Sequence, residues 1–353
     1  MSRSAPPRIC FFSFTPTQGG TSTYQASQIA FLRERAAVSL VDEKPAHTLA
    51  KLGSDDGVEV LELPVWSRRG EAAPALERWL RCWRPEVVAM SNPGMLVRYR
   101  GLLRRLRAHG GCRVVLTLHS GALTLTPLRL AMEVASSGLA LGADDRVFVS
   151  EYTRRYWQRR YPWMRLAASR VVPNGIAIRA GAAPRRRSGA ALRVGFVGRL
   201  HAEKGAALFG AVAERLGGDG FEFHVYGDGP EREAMAARHG RRLVFHGHVR
   251  DREGIFAGLD LLLMTSPVEN CPYAVLEAKN AGVPTVAPAV GGLGEIVVHG
   301  RDGVLARART PAALAAALDQ AAGAYDELSR GCLETRWRFD QARIGREMWD
   351  RYL

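Results

Sequence analysis

Short and almost uninterrupted apolar runs recur along this chain, and the segments between them read as amphipathic helices. The first half carries "RICFFSF" (8–14), "AVSLV" (37–41), "VEVLEL" (58–63), "EVVAM" (86–90), "RVVLTLH" (113–119), "RVFVS" (146–150) and "RVVPNG" (170–175). Segments such as "GLLRRLRAHG" (101–110) set leucines on one stripe and arginines on the other. A strand that is apolar at every position has both faces buried. Strands of that kind joined by helices predict a parallel sheet covered on both sides. The rhythm breaks at "AIRAGAAPRRRSGAA" (177–191), which reads as a linker. It then restarts with "LRVGFVG" (192–198), "EFHVYG" (222–227), "LVFHG" (243–247), "LDLLLMT" (259–265) and "PTVAPA" (284–289). The expectation is an α/β chain of two doubly wound domains: 1–176, the linker 177–191, and 192–336. A terminal helix (337–353) would return to the first domain.

Length agrees with this division, since 353 residues exceed what one ordinary core organises. Forty-nine Lys and Arg against 35 Asp and Glu give a net charge of +14, which favours anionic partners. Cys10, Cys82, Cys112, Cys271 and Cys332 have neither metal-ligand nor disulfide-framework spacing, which suits a reducing compartment. The apolar run near the amino terminus is too short for a signal peptide or an anchor, so a cytoplasmic location is expected.

In open parallel sheets, ligands gather outside the carboxyl ends of the strands, and with two sheets the expected site is the cleft between them. "GFVGRLHAEKG" (195–205) ends a strand in Gly198 and places Arg199 and Lys204 before a helix starting near Ala206. Two cations beside a helix N-terminus read either as a phosphate receptor or as a loop with solvated charges. "VYGDGPERE" (225–233) ends another strand in a turn at Gly227, where backbone can approach a planar ring or a ribose. In "SPVENCPYAVLEAKNAGVP" (266–284), Pro272 argues for a helix starting there, with Glu269 in the loop before it and Glu277 inside it. Acids so placed can straddle a diphosphate, Glu277 on a ribose diol and Glu269 on sugar hydroxyls. Taken alone, the pair reads more readily as a capping acid and an exposed helix acid.

"GRLHAEKG", "YGDGPERE", "GHV", "SPVENCPYAVLEAKNAGVPTVAPAVGGLGEIV" and "HGRDGVLA" occur in this order over residues 192–306. Together they closely resemble the nucleotide-binding half of the family 4 retaining glycosyltransferases, and Glu269 and Glu277 match that family's Glu-x7-Glu signature. The resemblance implies the GT-B fold, two Rossmann-like domains facing across a cleft, with acceptor binding in the first. It implies a retaining transfer of sugar from a nucleotide-sugar donor to a hydroxyl acceptor. Arg199 and Lys204 would neutralise the departing diphosphate, Glu277 would hold the ribose and Glu269 the sugar. Main chain around Asn270, Cys271 and Pro272 would meet phosphates and sugar, with Tyr273 beside them. Here "CPY" stands where many relatives have an aromatic residue and a glycine, which leaves the sugar open.

The first half resembles the family more loosely. "FTPTQGGTSTY" (14–24) matches its Gly-Gly turn, implying that Gly19 and Gly20 line the cleft near the phosphates. "LTLHSG" (116–121) sets His119 where relatives keep a histidine near the transferred sugar. The nucleotide sugar is a co-substrate, no further cofactor is implied, and the absence of any Asp-x-Asp predicts no metal requirement. Fitting acceptors are a glycan, a glycolipid or a lipid-linked intermediate of cell-surface polysaccharide or lipopolysaccharide synthesis. "VRYRGLLRRLRAHGG" (97–111) and "RRYWQRRYPWMR" (154–165) read either as solvated basic faces or as a peripheral dock on an anionic membrane. Two rivals differ in class. A nucleic-acid-binding protein suits the charge but finds no recognition motif. A nicotinamide dehydrogenase would need G-x-G-x-x-G where the chain has "TPTQGGTS". A catalytically silent sugar-nucleotide binder shares every motif above.

Overall fold

The computed structural model describes residues 5–13, 19–54, 56–63, 69–91, 94, 101, 104, 107, 111–119, 127–185, 191–218 and 220–353. The chain divides into two compact units, one of Met1–Gly175 with Gln341–Leu353 and one of Ile176–Asp340.

The first unit holds β1 (Arg8–Phe12), β2 (Ala37–Asp42), β3 (Val58–Glu62), β4 (Val87–Met90), β5 (Arg113–Leu118), β6 (Asp145–Phe148) and β7 (Ser169–Val171). Their order is β3-β2-β1-β4-β5-β6-β7, with every pairing parallel. Alternation along β1 explains its unbroken apolar sequence. Ile9 and Phe11 pack on one face with Ile29, Leu32, Ile344 and Met348. Cys10 and Phe12 pack on the other with Leu76, Leu80 and Trp157. Each such side chain contributes roughly 1.5–3 kcal/mol on burial. The last helix, around Gln341–Tyr352, lies in this unit, where Gln341 Nε2 donates to the Ser27 carbonyl (3.0 Å) and the Tyr352 ring meets Phe11 edge-on.

The second unit holds β8 (Leu192–Val197), β9 (Phe221–Tyr226), β10 (Leu243–Gly247), β11 (Leu261–Leu263), β12 (Thr285–Pro288) and β13 (Gly303–Ala306), in the parallel order β10-β9-β8-β11-β12-β13. Helices Ala206–Leu216 and Pro311–Gly323 cover one face, with Phe209 set edge-on between Phe196 and Phe223. The outer strand β10 shifts register against β9 between Phe245 and Gly247 and leaves Val244 49% exposed. The sequence reading passed over β13, which has only four residues and one heavily branched core side chain, Val304. The described part of the expected linker packs on this unit: Arg185 N donates to Ser329 Oγ (2.8 Å), and its guanidinium reaches the carbonyls of Phe256, Ala257 and Leu259.

Both sheets start in the middle, build to one side, then return to build the other. The reversal leaves a crevice at the carboxyl ends between β1 and β4 and between β8 and β11.

Helix Tyr273–Asn280 is pinned from behind. Lys279, 2% exposed, places Nζ 2.5 Å from Asp302 Oδ2 and 2.9 Å from Thr335 Oγ1. Burial lowers the lysine's pKa, and the Asp302 charge opposes that shift. Asp302→Ala strips the buried ammonium of its counter-ion. It should cost about 3–5 kcal/mol in urea unfolding, and Lys279→Met placed in the same chain should recover much of that loss.

Candidate active site at the strand termini

The second crevice gathers side chains from widely separated parts of the sequence. After β8 the chain turns through Gly198 and Arg199 into a short 3₁₀ turn, Ala202–Lys204. Thr265 Oγ1, just past β11, donates to the Lys204 carbonyl (3.1 Å), and Ser266 Oγ approaches it at 3.4 Å. So anchored, Lys204 extends Nζ to Glu269 Oε1 at 2.6 Å, 65 residues away in sequence. Ser266 Oγ donates to the same oxygen (2.8 Å). Glu269 is 7% exposed, so a buried carboxylate is satisfied by one cation and one hydroxyl. Arg199 is more open, its Nη2 4.0 Å from Glu203 Oε2.

Two glycines fix this geometry through close backbone approaches. A Cβ on Gly291 (φ +61) would fall 1.9 Å from the Glu269 carbonyl oxygen, which also accepts from Gly292 N (2.7 Å). Gly227 (φ +144) lies against Gly198, where a Cβ would stand 1.8 Å from its carbonyl oxygen. The glycine thus makes room for the neighbouring turn at Gly198.

Pro272 (φ −73, ψ 127) is the N-cap of helix Tyr273–Asn280 and not its first residue. Glu269 lies in the loop before, and Glu277 is one turn inside. Cys271 and Tyr273 are 6% and 7% exposed, so their side chains point into the unit. Glu277 faces a partner the sequence reading missed: Arg252 donates Nε to Oε1 (3.3 Å) and Nη2 to Oε2. Arg309 was missed as well, and its Nε holds the Thr265 carbonyl at 2.9 Å. Arg252 lies in "FHGHVRDREGIF" (245–256) and Arg309 beyond the last motif, and neither pairing follows a local spacing.

Asn270 follows Glu269 in that loop and is half-buried, whereas Gly19, Gly20 and His119 lie at the carboxyl rim of the first sheet. Gly19 is the N-cap of helix Gly20–Leu32, and residues 14–18 before it fall outside the described residues. Its carbonyl accepts from Lys51 Nζ (2.9 Å). A buried polar network fills the β1–β4 crevice: Gln25 Oε1 accepts from Ser13 Oγ (2.9 Å) and Thr48 Oγ1 (3.2 Å), while its Nε2 donates to Ser91 Oγ (3.4 Å). His119 follows β5 and meets the Tyr24 ring edge-on at 4.5 Å. Its Nε2 is enclosed without a hydrogen-bond partner among the described residues. Burial pushes its pKa from 6.5 to about 4, so the ring is neutral near pH 7. Of the basic stretches, 97–111 falls almost wholly outside the described residues, whereas 154–165 is described throughout.

Two family models match consecutive parts of the chain. "Glycosyltransferase Family 4" covers residues 18–179 and "Glycosyl transferases group 1" covers residues 191–323. The chain belongs to the family 4 glycosyltransferases and has their GT-B fold of two Rossmann-like units. A 2-deoxystreptamine N-acetyl-D-glucosaminyltransferase of Streptomyces fradiae is 39% identical over 141 residues, 37% of this chain and 32% of that protein. A GDP-mannose-dependent alpha-mannosyltransferase of Corynebacterium glutamicum is 33% identical over 120 residues, covering 33% and 28%. The chain thus spans about a third of the length of these curated relatives. Among solved structures, Anabaena HepE in complex with UDP and glucose superposes with a TM-score of 0.77 at 21% identity, over 97% of this chain and 98% of that one.

The His119 shift has a sign that can be tested. The unfolded chain takes up this proton near pH 6.5, whereas the folded protein resists it down to about pH 4. Stability linked to His119 is therefore complete above about 6.5 and is lost as pH falls through that window. His119→Asn should show a smaller fall in melting temperature between about pH 7 and pH 5 than the parent protein does. An equal fall in both would mean that the imidazole is hydrated.

Proposed function

We propose that the chain transfers a glycosyl group from a nucleoside-diphosphate sugar to an acceptor hydroxyl, with retention of anomeric configuration. The observation that carries this reading is the meeting of Lys204 and Glu269 at the β8–β11 crevice, beside the N-terminus of the helix that bears Glu277. Support comes from relatives that move N-acetylglucosamine, glucose or mannose, and from HepE, solved with UDP-glucose.

In this reaction the bond from the anomeric carbon to the β-phosphate oxygen breaks, and the acceptor oxygen bonds to the same face of the sugar. The acceptor proton passes to the departing phosphate oxygen, and a nucleoside diphosphate leaves. Negative charge grows on that diphosphate as an oxocarbenium-like sugar separates from it. Arg199, Lys204 and the positive end of helix Tyr273–Asn280 stabilise the charge, already oriented toward it. Glu269 receives sugar hydroxyls and Glu277 the ribose diol. Glu269 is an unsuitable nucleophile for double displacement, because its charge is already engaged by Lys204 and Ser266. With cations serving the phosphates, the reaction needs no divalent metal, and a chelator leaves its rate unchanged.

The two cations differ in their surroundings, which separates their variants. Arg199→Ala should bind and turn over donor poorly, with about 3 kcal/mol added to the barrier and an unchanged melting temperature. Lys204→Ala should lose both turnover and stability, because it strands the buried Glu269 carboxylate. Calorimetry with UDP-, GDP- and ADP-sugars tests the reading directly. No heat with any donor, or full turnover by Arg199→Ala, would overturn it.

We further propose that the acceptor is a glycan, a glycolipid or a lipid-linked intermediate met at an anionic membrane. No described helix is long and apolar enough to cross a membrane, so the association would be peripheral. Leu166 is 86% exposed and Leu141 40%. Arg146 ties their two turns together by donating to the carbonyls of Ala140 (2.9 Å), Leu141 (3.3 Å), Ala143 (2.8 Å) and Ala168 (2.9 Å). Arg159, Arg165 and Arg170 are exposed on the neighbouring elements. Apolar tips among arginines suit an anionic bilayer better than a nucleic acid, which offers no apolar interior. The protein should sediment with phosphatidylglycerol vesicles at low salt, and Leu166→Glu should weaken that binding several-fold. Failure to sediment, or retention of DNA in its place, would remove the membrane from the proposal.

A further inference from the structure

The carboxylate read above as the ribose receptor already has a partner. Arg252 Nε donates to Glu277 Oε1 at 3.3 Å and Nη2 donates to Oε2, a fork that closes on both oxygens. Such a fork takes the converging lone pair of each oxygen, and the two left over diverge along opposite edges of the carboxylate. A vicinal diol needs the converging pair, because its hydroxyls lie side by side. One hydroxyl can still use an outer edge. Two cannot, so a ribose diol and Arg252 exclude each other at this acid.

The main chain on both sides of the pair is held, which leaves the exchange to the side chains. Glu277 stands on helix Tyr273–Asn280, tied from behind through Lys279 to Asp302 and Thr335. Arg252 opens helix Arg252–Ala257, whose first turn is fixed by Gly254 N donating to Asp251 Oδ1 (2.9 Å). The Arg185 guanidinium holds the carbonyls of Phe256 and Ala257 at the other end. The arginine side chain is 45% exposed and that of Glu277 22%, so the arginine is the one that can swing into solvent. A pair so exposed shifts an equilibrium by about five-fold at most, which folding scarcely feels and a ligand can overcome.

We propose that Arg252 is a competitor built into the donor site: it holds Glu277 closed, and a ribose must displace it before both hydroxyls are bound. The inference rests on the donor reading above and adds that the ribose contact is made at the expense of an ion pair. A 2′-deoxyribose brings one hydroxyl, takes an outer edge and leaves Arg252 in place. Arg252 thus narrows the preference for ribonucleotides that Glu277 alone would give.

Calorimetry with UDP, GDP and ADP and with their 2′-deoxy counterparts tests this in the parent protein, Arg252→Met and Arg252→Lys. The readout is the ratio of ribo to deoxy affinity, because any pull of Arg252 on the phosphates acts on both forms alike. In Arg252→Met that ratio should widen about two- to five-fold over the parent's, at an unchanged melting temperature. Arg252→Lys, whose point charge lacks the fork, should fall between the two. In a Glu277→Gln background the same Arg252→Met change should leave the ratio where it was. A ratio that kept the parent's value or narrowed in Arg252→Met, or that widened equally without the Glu277 carboxylate, would overturn the competition. If the parent bound none of the six, the donor reading itself would fall, and this inference with it.

Discussion

A parallel sheet cannot be closed by tight turns, and that constraint shapes everything functional in this chain. Each strand must be followed by a crossover long enough to return to the starting end, so every carboxyl terminus opens into a loop. Because β8 lies in the centre of its sheet and the chain reverses direction to add β11, two of these loops diverge and leave a crevice. Lys204 arrives from one loop and Glu269 from the other. Their contact follows from strand order, and the buried apolar strands hold that order in place.

The charges in this crevice balance one another. Lys204 rests on Glu269 and Arg252 on Glu277, and Arg309 is occupied by a main-chain carbonyl. Arg199, with its counter-ion 4.0 Å distant, is the least committed of these cations. On the proposed reading, a diphosphate entering such a site would exchange partners with groups already paired. Its net gain is then the difference between two sets of electrostatic contacts in a partly buried place.

Much of this was legible in the chain, for reasons of spacing. Strands such as Arg8–Phe12 and Leu192–Val197 show themselves because both faces are buried. The helix start at Pro272 is marked by the one residue that tolerates losing an N–H there. Glu269 and Glu277 were found as a pair at a fixed offset, but the sequence assigned Lys204 and Glu269 separate tasks, and their ion pair depends on tertiary placement. Arg252 could not be singled out among so many arginines, since its partner sits on another helix. β13 escaped notice because four residues carry little pattern. At Gly227 the sequence marks a close backbone approach, and the turn at Gly198 is one group that makes it.

The register shift in β10 bears on how the protein survives in a crowded cell. An outermost strand presents unpaired peptide groups that would accept a further strand from another molecule, and Val244 adds an apolar invitation there. The irregularity between Phe245 and Gly247 bends the ladder out of line just where an incoming strand would need even spacing. One displaced residue thus discourages fibrous self-association along an otherwise sticky border, two strands away from the crevice between β8 and β11.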